Sequence, residues 1–278
     1  VTSASNTPPI TGLLHRFERA VDAIGVRAVV ARERVWWSLR TGEPELRLLS
    51  LLGDRGADFL DVGANRGIYA YCALKHFRTV IAAEANPAMV AGLRRIIKRE
   101  NTVLSVALSD GVGETTLHIP TQHGRDVSTR CSLQRDANPG FGLRTVTVPT
   151  TTIDELALAR VGVIKIDVEG HESAVLRGAR QTLRATQPTC IVECEERHNT
   201  GGVARTFAFF DTMGYRGYFL HRGRLRAVAD FDITQLQRPE NAKPVDGTRS
   251  GDYVNNFVFI HADNDSHLEK IGAAFGTG

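Results

Sequence analysis

Residues 164–172 read IKIDVEGHE, an apolar run that breaks into Asp167, Glu169, His171 and Glu172 within six positions. Carboxylates and an imidazole gathered at the end of a buried strand suit proton transfer or the holding of a cation. His171 is the only histidine of the group, and an imidazole of ordinary pKa, about 6.5, supplies a neutral base at pH 7. A histidine at a helix start can equally cap it or face solvent; Glu172 then suits the helix dipole, and Glu169 the backbone N–H groups of the turn. Farther along, PTCIVECEERH adds Glu193, Glu195, Glu196 and His198. Strand alternation puts Glu193 and Glu195 on one face, with Glu193 able to meet Asp167 across adjacent strands. Two carboxylates that close raise one pKa and call for a shared proton or a divalent cation such as Mg²⁺ or Mn²⁺. A metal there would acidify a neighbouring hydroxyl and replace a strong base. The candidate catalytic residues are therefore His171, Asp167 and Glu193. No full set of metal ligands is legible, and Glu195 and Glu196 have a plain alternative as solvated loop charges.

A second motif lies upstream. FLDVGANRGIYA presents Asp61, Gly63, Ala64, Asn65 and Gly67 at the end of an apolar strand. Glycines there let the chain turn sharply and let a ligand lie against bare backbone, at the edge where open α/β sheets bind nucleotides. The dinucleotide fingerprint GxGxxG is not met, because Asn65 stands at its second glycine and Gly67 comes four residues after Gly63. S-adenosylmethionine, with a sulfonium, an ammonium and a carboxylate but no pyrophosphate, suits the acid Asp61 by charge. Glu84, 23 residues after Asp61, ends the next strand, where a carboxylate accepts from both ribose hydroxyls; Ala85 and Asn86 follow it. The same topology brings Ala107, Leu108, Ser109 and Asp110 beside an adenine, with Asp110 accepting from its amine, unless LSDG is simply a turn.

These motifs need a frame to hold them. From Ala57 the chain alternates strand-like and helix-like stretches: ADFLDVG, GIYAYCALKHF, TVIAAEA, PAMVAGLRRIIKRE, VLSVALSD. GETTLHIP and LRTVTVPTTTI read as strands around a Gly/Asn/Pro-rich segment. VGVIKIDV, HESAVLRGARQTLRA, TCIVECEE, ARTFAFFDTMG, YRGYFLH and YVNNFVFIH then give strand, helix, strand, helix, strand, strand. This order predicts an α/β fold of class I methyltransferase (Rossmann-like) layout: a mostly parallel seven-stranded sheet with one antiparallel strand, preceded by N-terminal helices. Residues 1–11 are expected to be disordered, 12–52 to form a helical segment, and 53–278 the cofactor-binding domain. Trp36 and Trp37 are assigned to packing, with an acceptor pocket or subunit contact as alternatives. TQHGRDVSTRCSLQRDANPGFG, with His123, Arg125 and Arg130, suits a lid over the acceptor, and the polar stretch 222–252 an insertion near the site mouth.

Composition sets bounds on partners. In 278 residues, 42% hydrophobic, the formal net charge is only +3 and Lys and Arg alternate with Asp and Glu, so no track for nucleic acid stands out. The four cysteines form no CxxC pair, which points to a reducing cytoplasm rather than to a disulfide framework or zinc site. No basic-then-apolar leader is seen, and no apolar run approaches the roughly 18 residues of a membrane span, so neither export nor stable membrane insertion is expected.

Taken together, FLDVGANRGIYA, IAAEANPAM, VALSDGVGE, TTIDEL, IKIDVEGHESAVLRGA and PTCIVECEE, in that order and spacing, resemble the FkbM-type S-adenosylmethionine-dependent methyltransferases. The resemblance covers about residues 57–220 and again 253–260, and it is the combination of DVGANxG with IKIDVEGxE that is specific. It implies Asp61, Gly63, Asn65, Gly67 and Glu84 as cofactor contacts and Asp167 where methyl donor and acceptor meet. It further implies an O-methyltransferase acting on a sugar, oligosaccharide or glycosylated natural product, with a polyketide hydroxyl or an amide nitrogen as the alternative acceptor. A non-catalytic nucleotide-binding module is the reading from another class. The first 50 residues and 222–252 match no pattern of the family, and acceptor choice is expected there. The expected partner is a small-molecule or oligosaccharide acceptor, without nucleic acid, and a homodimer is compatible with the chain.

Overall fold

A computed structural model describes residues 43–97, 101–242 and 252–276. The expectations for residues 1–42, Trp36 and Trp37 among them, lie outside the described residues. Described structure begins with a 3-10 turn, Pro44–Arg47, that runs into the short helix α1 (Leu48–Leu51).

The main sheet is built from β1 (Asp58–Val62), β2 (Thr79–Ala83), β3 (Thr102–Leu104), β8 (Val161–Ile166), β9 (Thr189–Glu193), β10 (Tyr215–His221), β11 (Arg224–Ala227) and β12 (Asn256–His261), in the order β11-β10-β12-β9-β8-β1-β2-β3. Strands β3, β2, β1, β8 and β9 run parallel, while β12 is antiparallel to both β9 and β10. Seven of the strands thus form the expected sheet with its one reversed member. The eighth, β11, comes from the polar stretch 222–252: Arg222 (φ 50) and Gly223 (φ 75) make a two-residue turn that folds RLRA back onto β10.

Helices α2 (Ile68–Ala73), α3 (Pro87–Ile96), α4 (Glu172–Arg177), α5 (Arg180–Thr186), α6 (Gly202–Thr212), α7 (Ile233–Leu236) and α8 (Asp265–Phe275) follow the strands. Pleating sorts each strand between two cores. Leu60, Val62, Ile164, Ile166, Val192 and Phe257 pack against α4, α5 and α6, while Phe59, Val163, Ile191, Val258 and Ile260 pack against α1, α2 and α8. The second face also receives every long polar side chain of the sheet edge, because Asp61, Lys165 and Glu193 each lie two residues from a member of that core.

The stretch read as one third strand, 103–110, is two. After Leu104 the chain leaves the main sheet, and Ala107–Leu108 (β4) pairs instead with Thr150–Thr151 of β7 (Gly142–Thr151). Strand β7 also pairs antiparallel with β5 (Gly113–Gln122), which carries the short β6 (Arg125–Asp126), giving a second sheet of four strands. Its own small core, Ala107, Leu117, Ile119 and Val148, holds it across the edge of the first.

Gly63 holds the turn after β1 in contact with the end of β8. Its φ is 79°, and a Cβ there would collide with the carbonyl of Asp167. Gly63→Ala is therefore expected to cost roughly 2–4 kcal/mol of stability, the sum of left-handed strain and overpacking. Urea unfolding of the purified variant measures it.

Candidate active site

A cleft of about 570 Å³ opens where the turns after β1, β2 and β8 meet the second sheet. Gly63, Asn65, Glu84, Ala85, Ala107 and Asp167 of the expected contacts line it, as does His171. Asp61, Ala64, Gly67, Asn86, Ser109 and Asp110 do not. The reasons are local. Asp61 lies buried behind the turn, where its carboxylate accepts from the Ala70 N–H at 2.9 Å and so fixes the start of α2; burial pushes its pKa up to about 7. Asn86 caps α3, accepting from Ala88 N–H. Asp110 is exposed and accepts two bonds from Arg177, at 2.6 and 3.0 Å, so its carboxylate is committed away from the cleft.

Glu84 is held for a ligand. Its two oxygens accept from the N–H groups of Asn65 and Asn86, each at 2.7 Å. A carboxylate has about four acceptor positions, so each oxygen keeps a lone pair for a hydroxyl. Burial raises the Glu84 pKa, and the backbone N–H bonds oppose that rise. Beside it, Val106, Ala107, Leu108, Leu117 and Leu133 make an apolar slot. The Asn65 Oδ1 is buried without a hydrogen-bond partner, an acceptor suited to a ligand ammonium or hydroxyl. A carboxylate pair of lone pairs, an apolar slot and a free amide oxygen fit the ribose, base and amino acid ends of S-adenosylmethionine.

Part of the 121–142 segment lines this cleft. Ser128, Cys131, Ser132 and Leu133 line it, and three hydrogen bonds latch them. Ser132 Oγ donates to the Glu169 carbonyl at 2.6 Å, the Asn65 amide to the Ser128 carbonyl at 3.4 Å, and the Asn86 amide to Cys131 Sγ at 3.4 Å.

His171 sits on the same side. Gln134 donates to its Nδ1 at 3.0 Å, so Nε2 carries the proton and donates to Ser109 Oγ at 2.8 Å. Ser109 in turn donates to Asp110 at 3.3 Å. Burial lowers the imidazole pKa and keeps the ring neutral, but both nitrogens are engaged with the strand end and the lid. Glu172 is buried too, and accepts from Gly170 N–H at 2.8 Å.

A different cluster occupies the other end of the edge. Lys165 is 1% exposed, and its ammonium stands 3.9 Å from both Asp167 and Glu193. It donates to Asn256 Oδ1 at 3.1 Å and to the Ile166 carbonyl at 3.3 Å, and lies 5.0 Å from the centre of the Tyr69 ring. Asn255 donates to Glu193 at 2.5 Å and to Glu195 at 3.3 Å. Burial, then the charge of Asp167, raise the pKa of Glu193; burial, and behind it the charges of Glu169 and Glu172, raise that of Asp167, and Lys165 opposes the rise in each. The two carboxylates expected to meet across β8 and β9 do so, with an ammonium between them. Among the described residues no group of three or more His, Cys, Asp and Glu could hold a metal ion.

Lys165, Asn255 and Asn256 are missing from the sequence reading, which holds Ser128, Cys131, Ser132 and Leu133 only as part of the 121–142 segment. A lone lysine inside VGVIKIDV and two amides opening the apolar strand YVNNFVFIH are the signals that point to them. Next to the cluster, Glu195 accepts from Arg197 and from the Tyr253 hydroxyl; although burial would raise its pKa, these bonds and charges bring it down to about 2.

The turn between β8 and α4 is strained, with Glu169 at φ 51 and Gly170 at φ 100. The buried His198 secures it, donating from Nδ1 to the Glu169 carboxylate at 3.0 Å. Burial lowers the His198 pKa, but the bond to Glu169 and the charges of Glu169 and Glu195 outweigh it, so the pKa is raised. A histidine raised in this way adds stability that is complete below its unfolded pKa of about 6.5 and is lost as pH climbs through the folded value. The stability lost in His198→Gln is thus expected to be largest in mild acid, roughly 1.5–3 kcal/mol for a charged hydrogen bond, and to shrink above neutrality. Urea unfolding of both proteins across pH gives the comparison.

The sequence model described as the Methyltransferase FkbM domain matches residues 61–220. No curated protein sequence matches the chain. Among solved structures, it is similar to the methyltransferase FkbM from Methylobacillus flagellatus KT (13% identity, TM-score 0.48), over 74% of this chain and 44% of that one. It thus spans less than half the length of that protein. It is also similar to precorrin-6y C5,15-methyltransferase from Geobacter metallireducens GS-15 (11% identity, TM-score 0.41, 78% of this chain and 86% of that one). A third is a SAM-dependent O-methyltransferase from Thermotoga maritima (12% identity, TM-score 0.39, 78% and 64%). The domain match spans more than half of the sequence, and within it fall the glycine turn, Glu84, the buried lysine and both edge carboxylates: the chain belongs to the FkbM methyltransferase family.

Proposed function

We propose that the chain methylates a hydroxyl group of a sugar, an oligosaccharide or a glycosylated natural product, using S-adenosylmethionine. Family membership carries the methyl donor. The hydroxyl acceptor rests on one observation: Glu193, a carboxylate of raised pKa, has a side chain 23% exposed beside Asp167, which lines the cofactor cleft. An alcohol needs a base as it attacks, and a carboxylate with its pKa lifted toward neutrality serves best at working pH.

S-adenosylmethionine, held by Glu84 and the Gly63 turn, would supply an electrophilic methyl group to the acceptor oxygen and leave as S-adenosylhomocysteine. On this reading Glu193 takes the hydroxyl proton and releases it to solvent. Asn255 holds the Glu193 carboxylate in position, and Glu84 and the Gly63 turn align the donor, so that little remains but an in-line approach. His171 belongs to the wall of the cofactor cleft, acting through Ser109 and Gln134. Beyond Glu193, the side chains of Asn255, Glu195, Tyr253 and Arg197 form a hydrogen-bonded wall of donors and acceptors. Such a wall supports vicinal hydroxyls as its ligand. The cation between Asp167 and Glu193 is already provided by Lys165, so this reading requires no Mg²⁺. Glu43 and Glu45, whose charges reach Tyr69, are proposed as part of the acceptor side. No described helix is long and apolar enough to cross a membrane.

Calorimetric titration with S-adenosylhomocysteine, followed by isotopically labelled methyl transfer to a panel of glycosides, is the test. Glu193→Gln is expected to keep its affinity for the product and lose about 100-fold or more in turnover, while His171→Ala weakens binding. A folded protein that binds no S-adenosylhomocysteine, or Glu193→Gln at wild-type turnover, would sink the proposal.

A further inference from the structure

The role of Lys165 goes beyond the function proposed above, and rests on it for the reaction concerned. A lysine ammonium that is 1% exposed needs anions to offset its lost hydration. Three strands provide them on one face: Asp61 of β1 pairs in register with Lys165 of β8, Asp167 lies two residues on, and Glu193 ends β9. The ammonium is equidistant, at 3.9 Å, from the last two. Its remaining hydrogen-bonding capacity is directed by β12, where Asn256 accepts from Lys165 and donates to Asn255 at 3.4 Å, and Asn255 donates to Glu193. One continuous path therefore runs from the ammonium through two amides to the carboxylate that it also faces directly.

We propose that Lys165 is a positioning residue for methyl transfer, a fixed internal cation that orients the Asp167 and Glu193 carboxylates and favours Glu193 as the group that takes the acceptor's proton. It occupies the place between the two carboxylates that a divalent cation would otherwise take. The proton moves from the acceptor oxygen to Glu193, and Lys165 keeps its own throughout. Every packed element that faces the pair adds to its field: Asp61 from β1, Tyr69 from α2, Glu169 from the turn after β8, Glu195 beyond β9, and Glu43 and Glu45 from the N-terminal segment. Each of these is acidic or neutral, and the cations nearby, Arg197 and His198, are engaged by Glu195 and Glu169. Lys165 is thus the cation on which ionisation of Glu193 depends, and burial raises the penalty for losing it.

The experiment follows Glu193 directly. Carboxyl-carbon NMR titration of the full chain, with the resonance assigned through Glu193→Gln, is run on wild type, Lys165→Met and Asn256→Asp, beside pH profiles of turnover. An ammonium within about 4–6 Å moves a carboxylate by one to three pH units, so the Glu193 midpoint is expected to rise by about one unit or more in Lys165→Met. The acid limb of turnover should rise with it, giving at least a tenfold loss at pH 7 that higher pH recovers. Asn256→Asp keeps an acceptor for Lys165 and adds an anion, so it should shift both in the same direction even if Lys165→Met does not fold. An unmoved midpoint in the folded variants, or a loss of turnover uniform across pH, would overturn the assignment. A shifted midpoint in a chain that methylates no hydroxyl would support the assignment of Lys165 to Glu193 and count against the acceptor reading alone.

Discussion

The ammonium of Lys165 is the constraint around which the sheet edge is organised. A cation taken out of water beside Phe59, Val163 and Ile191 is tolerable only with charges and dipoles already in place. Parallel pairing supplies them at no extra length of chain, since neighbours in register point to the same face. Asp61, Lys165, Glu193 and Asn256 therefore form a polar row through an otherwise apolar layer, and moving any one strand by a residue would send its member into the opposite core. The register of β1, β8, β9 and β12 and the chemistry of the edge are one requirement.

The turn after β8 then separates two clusters. Before it, Asp167 shares the lysine with Glu193; after it, His171 meets Ser109 and the lid. Between them Glu169 and Gly170 take left-handed conformations, held by His198, by Asn199 donating to the Gly170 carbonyl at 3.0 Å, and by Ser132 of the lid. Strain of this kind persists only where surrounding structure over-determines it. The 121–142 segment is thus joined by hydrogen bonds to the turn that divides the cleft wall from the carboxylate pair.

How far the sequence discloses this depends on whether partners are near in the chain. The glycine turn, Glu84 and the strand series are legible because hydrophobic alternation and local spacing encode them. His171 is visible as a residue and not as a role, because its partners Ser109 and Gln134 lie 62 and 37 positions away and come from another sheet. That sheet is itself hidden: VLSVAL alternates well enough for one strand, and nothing local marks the point where pairing passes from β2 to β7. Asp61 misleads for a different reason. Its type suits a cationic ligand, but its neighbour in space is the N–H of Ala70, which it caps.

Charge counting along the polar row gives the last step. Asp61, Asp167 and Glu193 face one ammonium, and burial makes a full set of three anions unfavourable, so the row retains acid protons where exposed carboxylates would lose them. Asp61 is bound by a backbone N–H and sealed at the rear, whereas Asp167 and Glu193 have side chains 34% and 23% exposed. Proton exchange with solvent or ligand is therefore confined to the two outer carboxylates. Of these, Glu193 alone is gripped by an amide donor, Asn255 just ahead of β12, which favours its ionised form and fixes its direction. The arrangement that makes a buried lysine tolerable thereby also leaves one edge carboxylate aimed, accessible and able to accept a proton.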